Sequence, residues 1–243
     1  MTAPTIVVVP AFNERTALPQ TLAELLLAVP DVAVIVVDDG SDDGTAEAAT
    51  QAGARVVRLP FNLGVGGAVR TGLRYACEHS YERAVVLDAD GQHDPASVTR
   101  LLQALDDGAD MAIGSRFADP DGGYRVGRVR HRAMGALHRI VGWSTGQRFT
   151  DTTSGFRAFR RPVMDLLARD YPVEYLADTV EVLIMVCRGG FVVTEVPVVM
   201  RARASGAPST RRLKLAFNYL RLLIGILASV SRRRPATNGA APS

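Results

Sequence analysis

Thr5-Ile6-Val7-Val8-Val9 is a short, unbroken apolar run that stops at Pro10-Ala11-Phe12-Asn13-Glu14. The pattern recurs twice. Val32 to Val37 ends in Asp38-Asp39-Gly40-Ser41, and Ala84 to Leu87 ends in Asp88-Ala89-Asp90-Gly91-Gln92. Runs of this length without polar alternation are what strands covered on both faces require. Between them, Thr16 to Ala28, Thr45 to Ala52 and Ala68 to His79 carry helical spacing, with Gly44-Thr45 and Gly66-Gly67 at starts. Strand alternating with helix predicts right-handed crossovers and an α/β fold with a mostly parallel sheet flanked by helices. Further along, Asp110 to Gly114 reads as a strand, residues 116–127 read as a mobile loop, and the stretch rich in Gly, Asp and Arg extends from Arg116 to Arg132. A helix-like stretch runs from there to Trp143, which is expected to pack. Ser154-Gly155-Phe156-Arg157-Ala158-Phe159 opens another strand, Val173 to Arg188 is a predicted helix, and Phe191 to Met200 is strand-like.

The 243 residues, 47% hydrophobic and 22% charged, are enough to bury one substantial core, which excludes disorder or a collagen-like repeat for the bulk of the chain. No internal repeat or long linker divides it. Cys77 and Cys187 lie in helical segments without partner spacing, so neither a disulfide framework nor a cysteine metal site is expected, and both should be buried and inert. Of 28 basic residues all but Lys214 are arginine, a bias that composition or a demand for bidentate anion binding would each explain. The net charge of +3 gives no ground for a nucleic-acid partner. The start, Met1 to Pro10, has no basic leader or cleavage pattern, so the expected location is cytoplasmic.

In a parallel sheet the ligand crevice lies beyond the carboxyl ends of the strands. Carboxylates dominate there. Alternate residues of an extended segment share a face, so Asp88 and Asp90 are expected to converge, and a hard divalent cation would relieve their repulsion, with Gln92 adding a neutral oxygen. A D-x-D triplet alone also serves as a cap or turn. The acidic string from Asp38 to Thr45 fails as a calcium loop, because counting from Asp39 puts Thr50 where a bidentate Glu is needed. Asp42 and Asp43 are expected to cap the helix that follows, leaving Asp38 and Asp39 as ligand candidates. Asn62-Leu63-Gly64-Val65-Gly66-Gly67 is a weak match to a phosphate-cradling loop, and its glycines are expected to permit close helix packing beside the pocket. Of four histidines only His93 lies within a motif, and none has zinc spacing.

In order, Pro10 to Glu14, Val36 to Ser41, Asp88 to Pro95, Gly114-Ser115-Arg116-Phe117 and Ser154 to Arg157 resemble the motifs of the family-2 glycosyltransferases. The branch most similar is that of dolichol-phosphate mannose synthase and the bacterial polyprenyl-phosphate sugar synthases, and the likeness covers roughly residues 5–210. The resemblance implies a glycosyltransferase A fold and inverting transfer of a hexose, from GDP-mannose or UDP-glucose, to polyprenyl phosphate. It implies that Pro10, Ala11, Asn13, Glu14, Asp38, Asp39 and Asp88 line the nucleotide pocket, and that Asp88, Asp90 and Gln92 hold Mg²⁺ or Mn²⁺. Arg116, Arg128, Arg132, Arg203 and Ser209 match, some loosely, residues that receive the acceptor phosphate. Asp90, Arg116 and Glu181 are the candidate catalytic residues. Glu181 shares a helical face with Asp178 and stands where relatives with hydroxyl acceptors place a base; the pair could instead orient Arg157.

The chain departs from the family pattern at Val65, where many relatives carry a cation, and no paired transmembrane helices follow residue 200. Lys214, Asn218, Arg221, Gly225 and Ser229 make one polar stripe on an otherwise apolar helix, flanked by Arg211-Arg212 and Arg232-Arg233-Arg234. Such a helix could lie in a membrane interface, or pack on the domain or on a twin subunit of a homodimer. The expected organisation is a catalytic domain at 1–210, an amphipathic basic helix at 211–234 and a disordered tail at 235–243, peripheral on the inner face of the cell membrane. Transfer to a soluble or glycan hydroxyl and a non-catalytic module that binds nucleotide sugars are the alternatives. A sugar-nucleotide pyrophosphorylase is disfavoured, since Pro10 to Glu14 is not that class's glycine- and arginine-rich opening.

Overall fold

The computed structural model describes residues 3–118, 139, 141–172 and 178–201. In chain order these form β1 (Thr5–Ala11), α1 (Leu18–Ala28), β2 (Ala33–Asp38), α2 (Thr45–Gln51), β3 (Arg55–Arg58), α3 (Val65–Glu78) and β4 (Arg83–Val86). There follow α4 (Ser97–Asp106), β5 (Met111–Ser115), β6 (Arg157–Arg160), α5 (Arg161–Asp170), α6 (Asp178–Arg188) and β7 (Val193–Pro197). The seven strands make one sheet in the order β3-β2-β1-β4-β6-β5-β7.

The apolar runs are continuous because both faces of the sheet are covered. Ile6 and Val8 of β1 point into a core shared with α3, α5 and α6, through Leu73, Leu167 and Leu183 among others. Val7 and Val9 point into a second core shared with α1, α2 and α4, through Leu22, Ala49 and Leu101. Polar alternation would have placed a charge in one of these cores. α3 approaches β1 closely: a Cβ on Gly72 would lie 2.2 Å from Val8 Cγ1.

All pairings are parallel except those of β6, which runs antiparallel to both β4 and β5. Strand–helix alternation does not forecast this direction. The α4 crossover from β4 to β5 leaves a gap one strand wide, and β6 fills it from the opposite end after the chain has returned through residues 150–156. Arg157, the first residue of β6, therefore sits opposite Val86 and Ile113, at the carboxyl ends of β4 and β5.

The return segment is fixed by charge. Asp151 has no exposed surface, and Arg116, just after β5, donates to it from Nε at 2.6 Å and from Nη2 at 2.7 Å. Arg116 Nη2 also donates to Thr153 Oγ1 at 2.8 Å. Glu195 of β7 accepts from the backbone N–H groups of Thr150 and Asp151, at 2.8 and 2.7 Å. Burial of Asp151 favours its neutral form, but the guanidinium of Arg116 outweighs it, and the carboxyl titrates below its ordinary value of 3.8.

Several sequence expectations change. α3 begins at Val65, not Ala68, because Gly64 adopts φ 84° and caps it, so Gly66 and Gly67 lie in its first turn. Trp143 is 74% exposed, contrary to the packing expected of it. Both cysteines are half-buried, and burial pushes each thiol up to about 11, so neither forms a thiolate near neutrality. The mobile loop read at 116–127 lies, from residue 119 on, outside the described residues, as do the first turns of the helix expected from Val173, the basic helix at 211–234 and the tail at 235–243. Among the described residues no helix is long and apolar enough to cross a membrane.

Two stability predictions follow from this packing. Gly72→Ala gains about 1 kcal/mol of helix propensity but overpacks Val8 at a cost of about 1–3 kcal/mol, so denaturant unfolding should show net loss, and Gly72→Val a larger one. Asp151→Asn leaves the guanidinium of Arg116 without its counter-charge and should lower stability by about 3 kcal/mol at neutral pH. Because the folded-state pKa of Asp151 is depressed, its contribution is present above its unfolded value near 3.8 and is lost as pH falls through the lower folded value. The gap between wild type and Asp151→Asn should therefore shrink only below about pH 4; a gap unchanged down to pH 2 would show that the carboxylate is not what stabilises the fold.

Candidate active site

The crevice lies where β1 is flanked by β2 on one side and β4 on the other, at the carboxyl edge of the sheet. Pro10 and Ala11 end β1 there, paired with Val37 and Asp38. The loop that follows is stitched to the loop after β2. Asn13, at φ 55°, donates its backbone N–H to Ser41 Oγ at 2.9 Å and receives the N–H of Asp42 on Oδ1 at 3.2 Å. Glu14 donates its N–H to Thr45 Oγ1 at 3.0 Å. Short polar side chains thus pair the backbone of two loops that no strand ladder reaches. Gly44, not either aspartate, is the N-cap of α2; Asp43, one residue before it, accepts from Thr45 N at 2.9 Å, and the backbone N–H of Asp42 is used by Asn13.

Asp38 and Asp39 are both buried and do different things. Asp38 Oδ1 accepts from Ser41 N at 3.1 Å, and its Oδ2 accepts no hydrogen bond among the described residues, with Arg58 Nε 3.4 Å away. Arg58, which the sequence reading passed over, also donates to the carbonyl of Ser41 at 2.9 Å and so braces this loop. Asp39 receives Leu63 N at 2.7 Å and Gly64 N at 2.9 Å, one on each oxygen. It holds the glycine loop against the crevice. Burial lifts its pKa, the two N–H groups lower it, and the neighbouring Asp38 raises it; the net shift is upward.

Asp88, Asp90 and Gln92 follow β4 on a turn, not on the extended segment that alternation assumed: the strand ends at Val86, and Ala89-Asp90 is already turning. Asp90 is buried and accepts the N–H of Gln92 at 3.0 Å. Asp88 is part-exposed, with its Oδ2 3.3 Å from Nε2 of His93. Gly155, delivered to this edge by the direction of β6, stands beside it. A Cβ there would lie 3.6 and 3.7 Å from the two oxygens of Asp88, so the glycine leaves room around the carboxylate. Two carboxylates and an amide, all hard oxygen donors with space beside one of them, fit a magnesium- or manganese-type ion that takes its other ligands from phosphate.

Arg116 lies just past the end of β5 and is held by Asp151 and Thr153. Glu181 is half-buried in the first turn of α6, a helix whose Val180, Val182 and Leu183 are core residues. Arg128, Arg132, Arg203 and Ser209 lie outside the described residues. The sequence reading missed Asp151, Glu195 and Arg58 as organisers of the edge. Asp151 lies 35 residues from Arg116 and Glu195 44 residues from Asp151, and nothing local in the sequence announces such pairs.

Comparison with known proteins identifies the family and the fold. The profile "Glycosyl transferase family 2" matches residues 6–167. Polyprenol monophosphomannose synthase of Mycolicibacterium smegmatis is 34% identical over 212 residues, covering 83% of this chain and 79% of that one. Undecaprenyl-phosphate mannosyltransferase of Micrococcus luteus is 35% identical over 212 residues, covering 83% and 85%. The crystal structure of glucosyl-3-phosphoglycerate synthase from Mycobacterium tuberculosis with Mn²⁺, uridine diphosphate and phosphoglyceric acid superposes with a TM-score of 0.73 at 23% identity, over 96% of this chain and 80% of that one, which shows a shared fold. The chain belongs to glycosyl transferase family 2 and is a glycosyltransferase of the A fold.

Proposed function

We propose that this enzyme transfers a hexose, from GDP-mannose or UDP-glucose, to the phosphate of a polyprenyl lipid at the inner face of the cell membrane. The observation that carries the reading is the acidic turn after β4, Asp88 to Gln92, set beside the β1–β2 crevice in a chain whose relatives are named for polyprenyl-phosphate mannose transfer.

In this reading Pro10, Ala11, Asn13 and Glu14 line one wall of the nucleotide pocket and Asp38 and Asp39 the other. The stitching of Asn13 to Ser41 and of Glu14 to Thr45 sets the width of the pocket before ligand arrives. Asp88, Asp90 and Gln92 would hold Mg²⁺ or Mn²⁺, which supplies neutralisation of the charge that develops on the departing diphosphate. An oxygen of the acceptor phosphate forms the new bond to the anomeric carbon from the face opposite the nucleoside diphosphate, which leaves with the electron pair of the broken carbon–oxygen bond, inverting the configuration. A lipid phosphate is already ionised near neutral pH, so the acceptor needs orientation more than deprotonation. Arg116 would take that role, and the hold of Asp151 on its guanidinium in one orientation is consistent with it; Arg128, Arg132, Arg203 and Ser209 are assigned to the same anion by resemblance alone. The basic helix at 211–234 would bring the catalytic domain to the bilayer.

The purified chain, given labelled donor, Mn²⁺ and polyprenyl phosphate, should form a labelled product that partitions into organic solvent. The absence of lipid-linked label with either donor, or label found only on a water-soluble acceptor, would overturn the reading. Asp90→Ala should lower transfer about 100-fold or more, since a lost metal contact removes several kcal/mol from the transition state. Glu181→Gln separates the acceptor classes: a phosphate acceptor should keep its rate within about tenfold, whereas a hydroxyl acceptor that relies on a general base should lose about 10²–10⁴-fold.

A further inference from the structure

His93 lies on the turn after β4, only 5% exposed, and no part of the proposed reaction uses it. Its Nε2 is 3.3 Å from Asp88 Oδ2. A carboxylate oxygen accepts, so the tautomer consistent with this contact carries its hydrogen on Nε2. The ring is fixed from several directions. It packs on Phe156, with centroids 4.8 Å apart and planes inclined at 37°. Its backbone bridges to Met200 in antiparallel sense, and Arg201 N donates to the carbonyl of Gln92 at 2.8 Å. Nδ1 is buried without a hydrogen-bond partner among the described residues, so the one polar contact of the ring is made through Nε2 to Asp88.

Asp88 is less enclosed: its side chain is 39% exposed, so its rotamer depends on the polar groups around it, His93 among them. The His93 N–H occupies one oxygen of the carboxylate, and Gly155 beside it brings no side chain to crowd it. We infer that His93 is a positioning residue, which directs the Asp88 carboxylate toward the divalent cation by occupying one of its oxygens with a rigidly held N–H. The inference rests on the reading of Asp88 as a metal ligand and adds to it the group that orients the ligand. Partners that orient a ligand in this way are worth about 10–100-fold in metal affinity.

The test is a Mn²⁺ titration of the full-length chain in the presence of GDP or UDP, followed by electron paramagnetic resonance, with His93→Phe and His93→Gln beside wild type. Phenylalanine keeps an aromatic ring on Phe156 and lacks the N–H; glutamine can place an amide N–H where Nε2 stands. His93→Phe should bind Mn²⁺ about 10–100-fold more weakly while melting as wild type does, and His93→Gln should recover most of that loss. Should His93→Phe not fold, His93→Met, also without a donor, takes its place in the comparison. Wild-type affinity in the donorless variant, or an equal loss in both variants, would overturn the inference while leaving the proposed function intact. Absence of Mn²⁺ binding by wild type itself would remove both.

Discussion

The direction of one four-residue strand decides what meets at the active edge. β6 is antiparallel to β4, so it starts where β4 stops, and Ser154, Gly155 and Phe156 arrive beside Asp88 and His93. A parallel strand in the same slot would have delivered these residues to the far edge of the sheet, some four residues, or about 13 Å, away. The start of β6 is secured by Arg157, 2% exposed, which donates to the carbonyl of Ser154 at 2.8 Å, and by Phe156, packed in the core beneath α4. Burying a guanidinium is costly unless it is hydrogen-bonded, and here its bonds hold the turn that precedes the strand.

The loops above this edge have little apolar area with which to stabilise themselves, and hydrogen bonds from short side chains do the work instead. Asn13 with Ser41, Glu14 with Thr45 and Asp39 with Leu63 and Gly64 link the ends of β1, β2 and β3. Each such bond is worth about 1 kcal/mol net, so no single one maintains this edge, whereas the set ties the three strand ends together. Burying Asp39 has an electrostatic cost, visible in its raised pKa, which comes chiefly from desolvation and to a smaller extent from the neighbouring Asp38. Negative charge is therefore concentrated at this edge by the fold itself.

Much of the architecture was legible because burial on two faces leaves a plain trace. Val7 and Val8 face opposite cores, so neither position tolerates a charge, and the run reads as a strand without any partner being known. The acidic strand ends were legible for the converse reason, since carboxylates directly after such runs have few roles other than ligand contact or capping. Three kinds of feature were not legible. The direction of β6 depends on which gap remains after β5 is placed, a property of the assembled sheet. The pairing of Arg116 with Asp151 spans 35 residues. The turn at Ala89-Asp90 overrides the alternation that a strand would impose, so the type of the site could be read from its residues but its geometry could not. Trp143 shows the limit of composition: a large aromatic ring predicts burial, and here it stands in solvent.

The arginines at this edge bear on what neutralises a diphosphate there. Arg58 is engaged with Asp38 and Glu47, Arg116 with Asp151, and Arg201 with Glu24 and Asp94. Each guanidinium is therefore balanced by a carboxylate of the frame, and the bidentate geometry on Asp151 is one that lysine could not reproduce. A pyrophosphate placed against such a surface gains less from these cations than from unpaired ones, because their fields are partly cancelled at source. The acidic turn after β4 would work the other way in the proposed reading, because carboxylates there would recruit an exchangeable cation rather than cancel a resident one. In the proposed reading the described arginines of this edge hold loops in place, and the charge needed for departure of the nucleotide would come from an ion held by Asp88, Asp90 and Gln92, so that the orientation of Asp88, and with it the ring of His93, would matter more than another surface arginine.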